Sequence, residues 1–125
     1  MAALGYITLG TNDLAKAAAF YDALLGSIGH TRQFQDENGF IAWGESLELP
    51  ALAITPPFDG QAATVSNGVM AALRMESKEQ VDAFYAKAME LGATDEGAPG
   101  QRIEGFYAGY FRDLDGNKLN AFIFG

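Results

Sequence analysis

A chain of 125 residues has the usual size of one domain, and with 49% hydrophobic against 19% charged residues it can bury a core. Its 16 acidic and 8 basic side chains give a formal net charge of -8, which repels phosphate backbones and anionic membrane surfaces, so neither nucleic acid nor membrane is an expected partner. With no cysteine there is no disulfide, thiol nucleophile or thiolate metal site, which suits a reducing cytoplasm, the compartment expected by default.

The opening MAALGYITLG carries no charged leader, and its apolar residues alternate too soon with Gly and Thr for a signal core or a membrane span. It predicts a first strand over 4–10. Asp13 is a plausible N-cap, and Leu14, Ala17, Ala18, Tyr21, Leu24, Leu25 and Ile28 recur at helical spacing until Gly29 stops the run. Extended segments follow at 31–35, 39–43 and 51–55. A second strand candidate at 68–74 leads into Ser77 and Gln80, which have capping-box spacing, and Val81, Phe84, Tyr85 and Ala88 form the apolar stripe of a second helix closed by Gly92. The glycine-rich stretch 92–105, with Gly97, Pro99 and Gly100 as turn punctuation, reads as a loop leading to strands at 105–112 and 118–124.

An offset of 64 residues lays Ala19-Phe20-Tyr21 on Ala83-Phe84-Tyr85 and Leu9 on Leu73. The identities are few, but the order of elements around them repeats as well. The expectation is one α+β domain over 1–125, made of two strand-helix-strands units, about 1–60 and 64–125, each with a helix on one sheet face and the other face left for something else.

Asp113-Leu114-Asp115-Gly116-Asn117-Lys118 is a poor calcium loop, because its glycine falls two positions early and no Glu closes the pattern; Asp-Gly instead suits a hairpin turn. His30, the sole histidine, follows a helix-ending glycine and reads as a capping or loop residue rather than a general base. The G-x-S-x-G elbow, the Walker loop, H-E-x-x-H and G-x-G-x-x-G are all missing.

GYITLGTNDLAKAAAFYDALLGSIG at the start, GAPGQR in the loop and YFRDLDGNKLNAF at the end resemble the glyoxalase/bleomycin-resistance/dioxygenase superfamily, also called vicinal oxygen chelate, across nearly the whole chain. The resemblance implies paired βαβββ units and a half-barrel cavity. In metal-using members the ligands are His, Glu or Gln side chains on the first and last strands of each unit. Carried over position by position, these fall on Tyr6, Met70, Asn120 and a residue near Ala53. A divalent ion takes imidazole and carboxylate donors, whereas Met offers a soft thioether and Ala nothing; Tyr6 would ligate only as phenolate, with an ordinary pKa of about 10. No metal and no other cofactor is therefore expected.

Strand alternation then places Leu4 and Thr8 beside Tyr6, Ala72 and Arg74 beside Met70, and Phe122 and Phe124 beside Asn120. An even-numbered hairpin loop at Asp115-Gly116 pairs Phe111 with Asn120, Gly109 with Phe122 and Tyr107 with Phe124, which adds Tyr107 and Phe111 to the wall and leaves room at Gly109; Trp43 is a further candidate from the first unit. The expected cavity residues are thus Tyr6, Thr8, Met70, Arg74, Tyr107, Phe111, Asn120, Phe122 and Phe124, an aromatic wall with a few polar groups. They point to a metal-free protein that binds a small, partly aromatic or carbonyl-containing molecule, with Arg74 holding its anionic or carbonyl group. The alternatives are a lyase or isomerase of the lactoylglutathione lyase type, whose base would be Glu104, His30 or a loop carboxylate, and a ligand-free dimeric interaction protein. The resemblance also implies a homodimer.

Overall fold

Local capping chemistry fixes both helices of the computed structural model, which describes residues 2–125. Asp13 accepts the Lys16 amide at 3.1 Å and starts α1 (Leu14–Gly26); Ser77 accepts the Gln80 amide at 3.0 Å and starts α2 (Lys78–Glu90), while the Gln80 side chain reaches back to the Glu76 amide at 2.7 Å. At the far ends the His30 and Ala93 amides bond back to Leu25 and Ala88. Moving α1 by 64 residues reproduces both ends of α2. The repeat is structural, and among the described residues no helix is long and apolar enough to cross a membrane.

The chain divides into two compact units at Val65/Ser66. In the first, β1 (Tyr6–Gly10) lies parallel to β4 (Ala51–Thr55), followed by antiparallel β3 (Ile41–Gly44) and β2 (Thr31–Gln35), in the order β1-β4-β3-β2. In the second, β5 (Ala71–Arg74) lies parallel to β8 (Lys118–Phe124), followed by β7 (Phe106–Arg112) and β6 (Thr94–Ile103). Each is a βαβββ unit with a four-stranded mixed sheet, the α+β architecture expected. Pairing also fixes the counterpart of Asn120: it lies beside Ala72, as Ala53 lies beside Thr8.

Each helix covers one sheet face. Leu9, Ile41, Trp43, Leu52 and Ile54 form the α1 side of the first sheet and are all buried. The Trp43 ring lies 5.7 Å from that of Tyr21, and its indole N–H donates to Asp22 at 2.8 Å on the same helix. Trp43 is thus core and not the cavity wall expected. On α2, Val81, Phe84 and Ala88 are fully buried, with the Phe84 and Phe111 rings 6.1 Å apart. Side chains of this kind contribute about 1.5–3 kcal/mol each on burial.

Two further expectations are corrected. Residues 94–103, read as loop, form the ten-residue strand β6, paired to β7 with three register shifts that accommodate its Gly and Pro. The β7–β8 hairpin is shifted by one residue: Phe111 pairs with Leu119, Gly109 with Ala121, Tyr107 with Ile123, and Asn120 with Tyr110. The cause is a loop of odd length. Asp113 pairs with Asn117 across Leu114, Asp115 and Gly116, the Gly116 amide donates to the Asp113 carbonyl, and Gly116 takes φ 92°, which closes a three-residue turn. A one-residue slip exchanges the two faces of the strand.

Candidate functional site

The helix-free face of each sheet is the candidate site, because the other is occupied by packing. In the first unit this face carries Tyr6 and Thr8 on β1, Ala51 and Ala53 on β4, and Ala42 on β3. Small side chains at the centre leave a hollow. A register shift between Arg32 and Phe34 turns Phe34 to this side, whereas Arg32 pairs with Trp43 and bonds Asp22 over α1. The result is a concavity of about 320 Å³ walled by Tyr6, Phe34, Phe40, Leu47 and Leu49, with Gln33 as its polar edge. Tyr6 and Phe34 meet the Phe40 ring edge-on at 5.7 and 5.9 Å. Gln33 is held by its amide, which donates to the Gly44 carbonyl at 3.2 Å and the Thr31 hydroxyl at 3.0 Å.

Of the residues expected here, Tyr6 and Thr8 are exposed on this face. Phe34, Phe40, Leu47 and Leu49 were not anticipated. The two leucines lie in a connection, where no strand alternation marks a face; Phe40 falls in the segment 39–43 expected to be extended but just precedes the observed strand Ile41–Gly44, and Phe34 owes its orientation to the bulge.

In the second unit the helix-free face runs in rows across β5, β8 and β7. At one end Glu96 bridges Arg112 at 3.1 Å and Lys118 at 3.7 Å. Next come Ala72, Asn120 and Tyr110, then Arg74, Phe122 and Ala108, and last Phe124 and Phe106. Phe106 stacks on Phe122 at 5.6 Å and lies 5.3 Å from Phe124. Asn120, Arg74, Phe122 and Phe124 therefore share one face, and Met70 lies one residue before β5. Tyr107 and Phe111 do not belong to it: Tyr107 donates its hydroxyl to Asp82 on α2 at 2.6 Å, and Phe111 packs on Phe84. The space expected at Gly109 is taken by the Pro99 ring, which stands 2.9 Å from where a β-carbon would sit. Phe106 replaces them as the aromatic neighbour of Phe122, a consequence of the register.

The polar groups of this face differ in how they are satisfied. Arg102 donates to the Ala98 carbonyl at 2.6 Å and lies 5.3 Å from the Tyr110 ring centre, with Lys118 at 5.5 Å from the same ring. The side-chain carbonyl of Asn120, a residue only 1% exposed, has no hydrogen-bond partner among the described residues. The candidate bases are peripheral: Glu104 is exposed at the β6–β7 turn, and His30 follows the α1 terminus.

Each unit is a βαβββ fold with a helix on one face of its sheet. The chain belongs to the glyoxalase/bleomycin resistance protein/dioxygenase superfamily, whose family profile matches residues 3–121. A glyoxalase/bleomycin resistance protein from Albidiferax ferrireducens T118 is 37% identical, with a TM-score of 0.85 over 95% of this chain and 96% of that one. A lactoylglutathione lyase from Agrobacterium tumefaciens is 20% identical, with a TM-score of 0.69 over 98% and 93%. A mutant of the fosfomycin resistance protein FosX from Listeria monocytogenes, complexed with Mn(II) and 1S,2S-dihydroxypropylphosphonic acid, is 20% identical, with a TM-score of 0.69 over 97% and 89%. The last two similarities are of fold. Among curated proteins nothing matches the chain.

The metal that the family pattern implies does not fit the residues here. Tyr6, Ala53, Met70 and Asn120 supply a phenol, a methyl, a thioether and an amide where divalent transition-metal ions take imidazole and carboxylate. Among the described residues no three His, Cys, Asp or Glu side chains gather as a ligand set.

Proposed function

We propose that this protein binds a small, partly aromatic or carbonyl-containing molecule on its helix-free sheet faces without a metal, and that it does so as a homodimer. One observation carries the reading: the concavity of about 320 Å³ in the first unit, walled by three aromatic rings and two leucines around the amide of Gln33. Pockets for small ligands begin at about 300 Å³ and combine apolar walls with a few fixed polar groups. Tyr6 and Thr8 lie on the same face as this concavity, and the second unit's helix-free face offers Met70, Arg74, Asn120, Phe122 and Phe124, with Arg74 as its cation. The donor set supports the metal-free part of the reading.

Metal analysis tests it first, on protein loaded with nickel, zinc, manganese or ferrous iron and then dialysed. The expected result is no equimolar ion; an equimolar ion lost on Asn120→Ala would turn the reading to a metal-dependent lyase. Ligand-observed NMR with an aromatic fragment library then reports occupancy. Phe34→Ala is expected to weaken the bound fragments by about tenfold, since removing one buried ring face costs on the order of 1–2 kcal/mol of contact. Silence across the library would overturn the reading.

A further inference from the structure

We infer that the first unit's concavity selects uncharged aromatic molecules that carry a hydroxyl donor, the phenols, with the Gln33 side-chain oxygen accepting that hydrogen bond and with carboxylates turned away. The inference rests on the reading of this concavity as the ligand site and names the ligand chemistry. Its starting point is the orientation of the Gln33 amide, which lines the concavity. The amide nitrogen lies 3.2 Å from the Gly44 carbonyl and 3.0 Å from the Thr31 hydroxyl, with the Thr31 carbonyl at 3.4 Å. A backbone carbonyl only accepts, so the end that faces it is the NH2, and both of its N–H groups are committed to the protein. What the amide keeps for a ligand is its oxygen, which accepts no hydrogen bond among the described residues. Unlike that of Asn120, this oxygen is not closed off: Gln33 is half-buried and its carbonyl is open to solvent. With the nitrogen tied down, the acceptor is set in place before a ligand arrives.

The rest of the lining sets the charge of the ligand. Three rings and two leucines form the walls, and the other polar side chains, Tyr6 and Ser46, are neutral hydroxyls that donate or accept as needed. Among the described residues no Lys, Arg, Asp or Glu lines the concavity. Arg32, next to Gln33 in the chain, is drawn away by two bonds to Asp22 and one to Gln35. A carboxylate seated here would lose hydration with no cation to pair with, and would meet the Gln33 oxygen as a second acceptor. The net charge of -8 opposes it further. An ammonium group would lose hydration with no carboxylate in the lining. A phenol meets each condition: its ring packs on apolar walls, its O–H reaches an acceptor, and with an ordinary pKa of about 10 it stays neutral at pH 7.

The test titrates the full chain with 4-ethylphenol, 4-ethylanisole, 4-ethylbenzoate and 4-ethylbenzylamine at neutral pH, followed by amide shifts of nitrogen-labelled protein. Methylation removes the donor and keeps the ring, whereas the acid and the amine add a charge of either sign. The phenol is expected to bind about five- to tenfold tighter than its methyl ether and to shift the Gln33 side-chain amide. The acid and the amine are each expected to bind at least about tenfold more weakly than the phenol. Gln33→Met, close in length and without the amide, is expected to lower phenol binding to the level of the ether. The wild-type comparison decides the ligand class independently of that variant. Equal binding of phenol and ether, a charged probe that binds as tightly as the phenol, or a preference that survives in a folded Gln33→Met would overturn the inference and leave the pocket reading standing. No binding by any of the four probes would count against both.

Discussion

Asp22 shows how one side chain serves both faces of a packing decision. Its carboxylate takes two bonds from Arg32, at 2.9 and 2.7 Å, and one from the Trp43 indole at 2.8 Å, so it ties α1 to β2 and β3 at once. The Arg32 guanidinium holds the Asp22 carboxyl below its ordinary value of 3.8; partial burial opposes this, and the indole adds to it. A depressed carboxyl stabilises the folded state fully above its unfolded value and loses that effect as pH falls through the folded one, so this tie weakens only below about pH 3.8. With Arg32 and Asp22 36% and 45% exposed, the ion pair itself contributes little. Most of the loss expected for Asp22→Ala, about 1–2 kcal/mol in urea denaturation at neutral pH, comes from the indole N–H of a Trp43 that is 1% exposed. Asp22→Asn retains an acceptor for the indole and is expected to lose less. Equal stability of Asp22→Ala and wild type would show that Trp43 finds another acceptor.

At the scale of elements, what could be read from the sequence is what was locally encoded. Asp13 and Ser77 announce the helices because an N-cap acts within its own turn, and the apolar stripe from Val81 to Ala88 states which face α2 buries. Hairpin register depends instead on loop length, and Asp-Gly was compatible with two closures. The observed one places Asp115 and Gly116 within a three-residue loop, and that single step moved Tyr107 and Phe111 from the open face to the helix face and brought Phe106 forward. Tyr6, Thr8, Arg74, Asn120, Phe122 and Phe124 kept the open face because alternation within one strand needs no partner. β6 was hidden by Gly97, Pro99 and Gly100, which read as loop; bulges let the strand pair around them. Gly116, at φ 92°, is the residue on which the closure depends, and a β-carbon there costs about 1–2 kcal/mol. Gly116→Ala is expected to lower the urea midpoint accordingly, and amide exchange should speed first at Asp113 and Asn117, which share the turn. An unchanged midpoint would mean that the hairpin closes by another loop.

For the molecule as a whole, charge and apolar surface act against each other. Each chain carries a net charge of -8, so two copies repel. Yet Leu47 is 74% exposed and Phe58 lies fully in solvent, and Ile103 and Phe124 are exposed as well. Single exposed apolar residues are ordinary, but this number in a chain of 125 residues favours the homodimer proposed above. If burial of such side chains drives association, salt must strengthen it: the screening length falls from about 30 Å at 0.01 M to about 3 Å at 1 M, which removes the repulsion and leaves the apolar contribution intact. Sedimentation equilibrium is therefore expected to show a species of twice the 13.3 kDa chain mass, with a dissociation constant that falls as sodium chloride is raised from about 20 mM to about 0.5 M. The opposite trend would assign the contact to ion pairs across the interface. A monomer at every salt concentration would leave each chain to bind its ligand alone, and the exposed leucines and phenylalanines would then belong to the ligand surface.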